Sequence, residues 1–424
     1  MHAGARYSVP LHLHFHFTLM RIQRCIVYIA SFLSGLAGLG YEMVWARMLA
    51  LTLGHEIAAV LAVLVAFFSG LALGAWFLDG RISASSRPAS WYVVCEGIIG
   101  LWALLLTMLF PEANRVMQVL TGTVSSPLQL GFLCFLLPFL LLLPATFAMG
   151  GTLPAIDRLF ATLRANGQWV GGLYSANTFG AVAGTMLTTF LLAPWLGSRA
   201  SLIALAAVNF ACAAAVWLLP METSPPDYGS KKAQIGHMDG RLATILLLTG
   251  FLGIGFEVMV VRVLSQVFEN TVYSFADVLS VYLLGTAIGA ALYQRWWSGT
   301  DFDGFLNYLL SALSACCLLS MLLLSHIENL YSLIRDLFGG GFGGSIVAEA
   351  GTAFAVVSLP TLIMGATFAH LAQAARRHDG GVGQALCVNT VGASRWHRSF
   401  WAALSCPCSD PKAHCCWCHW AISR

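Results

Sequence analysis

The chain has 424 residues, of which 58% are hydrophobic and 10% charged, with a formal charge of +3. Soluble domains carry ~25% charged residues. This composition therefore excludes a water-soluble globular protein and specifies a polytopic membrane protein, and so small a net charge gives no footprint for nucleic acid.

Residues 1–24 form an N-terminal extension in which His12 to Phe17 (HLHFHF) alternates histidine with apolar residues. The pattern reads either as a metal site or as translated sequence upstream of the true start, and it lacks the small-residue cleavage pattern of a signal peptide. Apolar spans follow at roughly 25–46, 56–78, 89–111, 129–153, 168–195 and 199–219. Each is near the ~20 residues that cross a bilayer. A polar segment bearing Pro and Gly, 220–240, reads as a central linker. Further spans lie near 241–264, 271–293, 304–326 and 344–372, and an eleventh starts near Gly383 and breaks off after Ala393. Thirteen Lys and Arg fall on one side of this layout against five on the other. The positive-inside rule then places the N-terminus in the cytoplasm of a cell whose inner membrane holds the protein.

One stretch occurs twice. Gly38 to Leu49 reads GLGYEMVWARML and Gly253 to Leu264 reads GIGFEVMVVRVL. Glu42 pairs with Glu257 and Arg47 with Arg262, a spacing of 215 residues both times. Gly70 and Gly74 pair with Gly285 and Gly289, and Met149, Gly150 and Thr152 with Met364, Gly365 and Thr367, at the same spacing of 215. Asn177 pairs with Asn389 at 212. An even number of spans separates the copies, so both have the same orientation. That is the parallel duplication of two six-helix halves seen in major facilitator transporters. The predicted fold is all-α, with repeats over 25–219 and 241–393, the second incomplete, and about 10–11 transmembrane helices.

Four kinds of residue could carry chemistry. Glu42 and Glu257 lie near the outer ends of the first and seventh spans, where a charge deep in lipid costs several kcal/mol and must face a cavity or a partner. They read either as a cation or proton site built from both halves, or as structural ion pairs with Arg47 and Arg262. Asp277 interrupts the eighth span where the first repeat has Ala62, and reads as a third member of such a site or as an interhelical hydrogen bond. Glu96 and Glu349 sit near span ends and are expected to reach the interface. Gly70, Gly74, Gly285 and Gly289 are small residues spaced for close helix packing, and Asn177 and Asn389 are expected to hydrogen-bond between helices. No Walker motif, HExxH helix or soluble segment long enough for an enzyme domain is present.

After Ala393 the chemistry changes. Residues 394–424 hold four Trp, five Cys and three His. CxC and CCxCH spacing resembles zinc ligation, yet Trp and Cys codons read two bases later end in TG and encode Leu, Val or Met. The tail is expected to be a frameshifted product and no metal site is assigned.

The blocks SGLAGLGYEMVWARMLALTLG, LPATFAMGGTLP, GGLYSANTFGAVAGT, GFEVMVVRVL and IMGATFAHL resemble the membrane portion of bacterial proteins that fuse a major-facilitator-like domain to a spermidine-synthase-like domain. The resemblance covers Cys25 to Ala393. It implies polyamine biosynthesis or handling, with a polyamine as possible ligand. It also implies an aminopropyltransferase domain that would bind decarboxylated S-adenosylmethionine and is absent here, so no cofactor and no catalytic residue is assigned to this chain. The alternatives are a plain secondary transporter of the major facilitator type and a non-functional truncated product.

Overall fold

The computed structural model describes residues 11–53, 56–123, 127–163, 169–219, 238–264, 266–268, 272–338, 341–377 and 382–391. These residues are helical almost throughout. The first half holds α1 (Leu11–Leu53), α2 (Glu56–Ala84), α3 (Pro88–Thr123), α4 (Pro127–Leu163), α5 (Val170–Leu187) and α6 (Ala193–Trp217). The second holds α7 (Gly240–Leu264), α8 (Val272–Leu292), α9 (Phe302–Ser325), α10 (Ile327–Phe338) and α11 (Phe342–Arg377), followed by a short helix Val382–Val391. π-helical turns extend α5 (Thr188–Leu192) and α8 (Tyr293–Trp297).

Local chemistry places several helix ends. Pro88 and Pro127 open α3 and α4, where the missing N–H costs nothing. Asp301 caps α9 by accepting from the Gly304 N–H at 3.1 Å. Pro111, Pro138, Pro144, Pro154 and Pro360 lie inside helices, a placement that lipid-embedded bundles tolerate.

Among the described residues, nine helical runs are long and apolar enough to cross a membrane. Val170–Trp217 is 48 residues long, enough for two crossings, and turns at Gly197, whose φ of +77° suits glycine. The two spans expected over 168–195 and 199–219 are therefore one kinked run rather than helices parted by a loop. A second difference is α10. Its apolar residues line one face, so it lies at a membrane surface better than it spans. It follows α9 with one intervening residue and was not expected from hydropathy, which sees only mean apolarity. A third is α1, which begins at Leu11 and takes HLHFHF into its first turns. The linker to Met238 and the tail after Val391 lie outside the described residues, and so does the frameshift expectation.

Each half has its own core. In the first, Tyr41, Trp45, Phe110, Leu142 and Leu205 are buried together from α1, α3, α4 and α6. In the second, Val260, Val278 and Val357 join α7, α8 and α11, and Leu246 meets Leu371. Lipid-facing stripes remain apolar: Leu101, Leu105 and Met108 on α3, and Leu318, Met321 and Leu322 on α9.

The repeat is visible in atomic contacts. A Cβ built on Gly35 would overlap the Asn177 carbonyl, and one on Gly250 would overlap the Asn389 carbonyl. The same equivalence joins Gly70 to Thr146 and Gly285 to Thr361, then Gly74 to Phe147 and Gly289 to Leu362. Gly35, Gly74, Gly250 and Gly289 let backbone meet backbone, and Gly70 and Gly285 make room for a threonine side chain, at α1–α5, α2–α4 and their counterparts α7–Val382–Val391 and α8–α11. The halves meet each other where α5 packs on α8: Ser175 Oγ donates to the Ala287 carbonyl at 2.8 Å, and Gly171 lies against Ala290 and Ala369. Met43 of α1 joins Ala276 and Leu279 of α8, and Ala72 and Ala75 of α2 join Cys387 of the short helix.

Candidate functional site

Two clusters of buried polar residues lie between the halves, one at the arginine-rich end of the bundle and one in the opposite part. At the arginine-rich end, Asp157 of α4 and Arg376 of α11 form an ion pair of 2.9 Å, their side chains 4% and 14% exposed. Trp169 donates its indole N–H to the same Asp157 oxygen at 2.9 Å, and the Arg376 guanidinium stacks 4.0 Å over the Trp169 ring. One carboxylate oxygen thus collects two donors, and the cation is held by charge and ring face together. Beside it, buried Asp79 of α2 accepts from the backbone N–H groups of Gly383 and Gln384, the open first turn of Val382–Val391. A carboxylate there satisfies orphan donors and meets the positive end of the helix dipole. Arg158 lies within electrostatic reach of Asp79 and donates to Ser83 Oγ at 2.9 Å. These contacts clamp the first half to the second at one end of the molecule.

In the other part, Glu42 of α1 is 3% exposed and Glu257 of α7 is partly exposed. Glu42 and Glu257 lie within electrostatic reach of each other. Glu257 is also within electrostatic reach of Tyr174 of α5 and Tyr282 of α8. The hydroxyls of Thr188 and Thr189, in the π-helical turn after α5, are buried without a hydrogen-bond partner among the described residues. Thr188 packs against Gly40, two residues from Glu42. Two acids, two phenols and two unspent hydroxyls therefore border the seam between the halves.

The expected pairing of Glu42 with Arg47 and of Glu257 with Arg262 does not occur. Both arginines are exposed, and neither closes an ion pair with its glutamate. The reason is helical geometry: five residues advance about 140° around an α-helix, so the arginines emerge on a different face from the acids. Asp277 is 4% exposed on α8 and lies within electrostatic reach of Glu349 on α11, which is itself buried rather than at the interface. Glu96 also departs from expectation. It does not reach the interface but is fully buried, accepting from Ser34 Oγ and Asn209 Nδ2, each at 2.6 Å, while Tyr41 donates to Asn209 Oδ1 at 2.7 Å. Its position on α3 faces α1 and α6, and these donors offset the cost of burial. Asn177 and Asn389 meet α1 and α7 through their backbone carbonyls.

Tyr174, Tyr282, Thr188 and Thr189 went unseen in the sequence because a lone hydroxyl in an apolar helix carries no spacing signal. Tyr174 does fall inside one of the conspicuous blocks, GGLYSANTFGAVAGT.

No family profile and no curated protein matches the chain. Its fold is similar to a solved structure, a bacterial homologue of the iron transporter ferroportin in the outward-facing state. The TM-score is 0.53 and the identity 13%, over 90% of this chain and 91% of that one. This finding corrects the resemblance to the spermidine-synthase fusion family: the similar structure is that of a homologue of an iron transporter, and no family profile or curated protein supports that family. The described residues are almost all helical, and the chain is a multi-pass membrane protein with a major-facilitator-like fold.

Proposed function

We propose that the chain is a secondary transporter of the major facilitator type, which moves a cationic substrate by alternating access. The observation that carries this reading is the approach of Glu42 and Glu257, equivalent residues of the two halves, with no arginine or lysine among the described residues neutralising either carboxyl. Two buried carboxylates within electrostatic reach of each other inside a membrane protein cost several kcal/mol unless a proton or another cation neutralises the charge. A cation bound there touches both halves at once, so its arrival biases how they sit against each other. Oxygen donors from Glu, Tyr and Thr suit a hard or organic cation better than a soft one.

The clamp formed by Asp157, Arg376, Trp169 and Asp79 supports a state closed at its arginine-rich end. By the positive-inside rule that end is cytoplasmic, which makes this an outward-facing arrangement in the plasma membrane. Because the similar fold is that of an iron transporter's homologue, Fe2+ is a natural first probe.

Thermal unfolding of the purified chain across a panel of metal and organic cations tests the proposal. A cation that stabilises the wild type, with the shift lost in the double variant Glu42→Gln, Glu257→Gln, is the expected outcome. Equal stabilisation of both proteins, or no stabilisation by any member of the panel, rejects it.

A further inference from the structure

Comparing the two halves position by position isolates a feature that duplication does not explain. Asp277 and Ser280 of α8 and Glu349 of α11 take the places of Ala62, Val65 and Cys134 in the first repeat, at the common spacing of 215. The first repeat has apolar or thiol residues at all three positions, so the duplicated sequence does not require acids there.

Two buried oxygens of this group are left without a hydrogen-bond partner among the described residues. Asp277 is 4% exposed and Ser280 is 7% exposed. Asp277 Oδ2 and Ser280 Oγ both lack a hydrogen-bond partner among the described residues. One turn of helix separates them, so they share a face of α8. Ser280, like Thr188 and Thr189, differs from most buried helical hydroxyls. Thr286 donates to the carbonyl three residues back at 2.8 Å, and Thr146, Thr352 and Thr361 donate to the carbonyl four back at 2.7–2.9 Å. Ser280 leaves its hydroxyl unspent. A second carboxyl, that of buried Glu349, lies within electrostatic reach of Asp277 from the facing helix. The two unpartnered oxygen atoms on α8 are costly to bury alone, and the neighbouring acid raises that cost.

We propose that Asp277, Ser280 and Glu349 form a second site, which holds a small hard cation of the Na+ or Ca2+ class. Carboxylate and hydroxyl oxygens are the donors such ions take. The site uses different carboxyls from the Glu42–Glu257 pair and stands whether or not that pair binds a substrate. Because α8 packs on α1 through Met43, Ala276 and Leu279, an ion at Asp277 sits one residue from the seam between the halves. It can therefore bias the same movement as a substrate at the first site, which is the requirement for a coupling ion.

Equilibrium binding of 22Na+ and of 45Ca2+ to the purified full chain tests the site directly. The expected result is saturable binding of one of the two ions. Asp277→Asn abolishes it, Ser280→Ala weakens it by about tenfold, and Glu328→Gln, at an exposed position, leaves it intact. Saturable binding of neither ion to the wild type overturns the proposal without any variant having to fold. Saturable binding that persists unchanged in Ser280→Ala and in Asp277→Asn overturns it as well.

Discussion

Arg376 of α11 and Asp157 of α4 stand 219 residues apart in the chain and 2.9 Å apart in space, with the Trp169 ring beneath the guanidinium. This contact joins the two halves at one end of the bundle. Removing one partner of a buried pair leaves an uncompensated charge, which costs about 3–5 kcal/mol, whereas neutralising both costs less. Asp157→Asn therefore opens the arginine-rich end. Spin labels at Ser86 and Gly299, in opposite halves at that end, report a new population at longer distance, and adding Arg376→Gln partly restores the closed population. Identical distance distributions in wild type and Asp157→Asn would show that the pair is not a clamp.

Glu42→Gln and Glu257→Gln are predicted to stabilise the ligand-free protein, an unusual sign for a buried polar residue. Each substitution removes a carboxyl whose charged form is costly to bury, near a second acid, and keeps the side-chain volume. The gain is about 1–2 kcal/mol, in line with stability traded for function at a site. A lower unfolding temperature in both single variants contradicts this account.

Glu96 behaves oppositely. Its carboxylate accepts from Ser34 and Asn209, and Asn209 in turn accepts from Tyr41. Glu96→Ala strands those donors and costs about 3 kcal/mol or more, while Glu96→Gln retains part of the network and costs less. The order of unfolding temperatures, wild type above Gln above Ala, checks it.

Glycine substitutions divide sharply by position. A methyl group on Gly250 meets the Asn389 backbone carbonyl, which no rotamer change relieves. Gly250→Ala should cost about 1–3 kcal/mol by forcing α7 away from Val382–Val391. Three residues on, Gly253 has open space up to the Tyr282 hydroxyl at 3.8 Å, so Gly253→Ala is tolerated. Equal melting temperatures for the two variants would remove the close-packing argument.

The fold was largely legible in the sequence. Apolar runs of bilayer length and the spacing of 215 gave the helices, the duplication and the major-facilitator-like layout, because hydropathy and repetition are one-dimensional signals. What escaped was three-dimensional in origin. The amphipathic α10 is polar enough on average to pass as a loop. Glu42 and Glu257 stood out as charges in apolar runs, but whether they turn toward arginine or toward each other depends on helix rotation. Glu96 was misread because distance from a span end says nothing about which neighbouring helices cover it. Family blocks misled for a related reason: Gly-rich segments such as GGLYSANTFGAVAGT record close helix packing, which many membrane folds share, rather than a particular chemistry.

The paired glycine contacts also say how a duplicated gene can drift. Trp45 and Val260 occupy equivalent buried positions and differ greatly in volume. Side chains around such a site can be exchanged one at a time, since each loss of volume is made up by a neighbour. A carbonyl resting on a Cα has no such slack. Gly35 and Gly250, and Gly74 and Gly289, stay matched at the points where the main chains touch. Ancestry in this molecule is written in its backbone contacts, and novelty is free to enter everywhere else, as Asp277 has entered opposite Ala62.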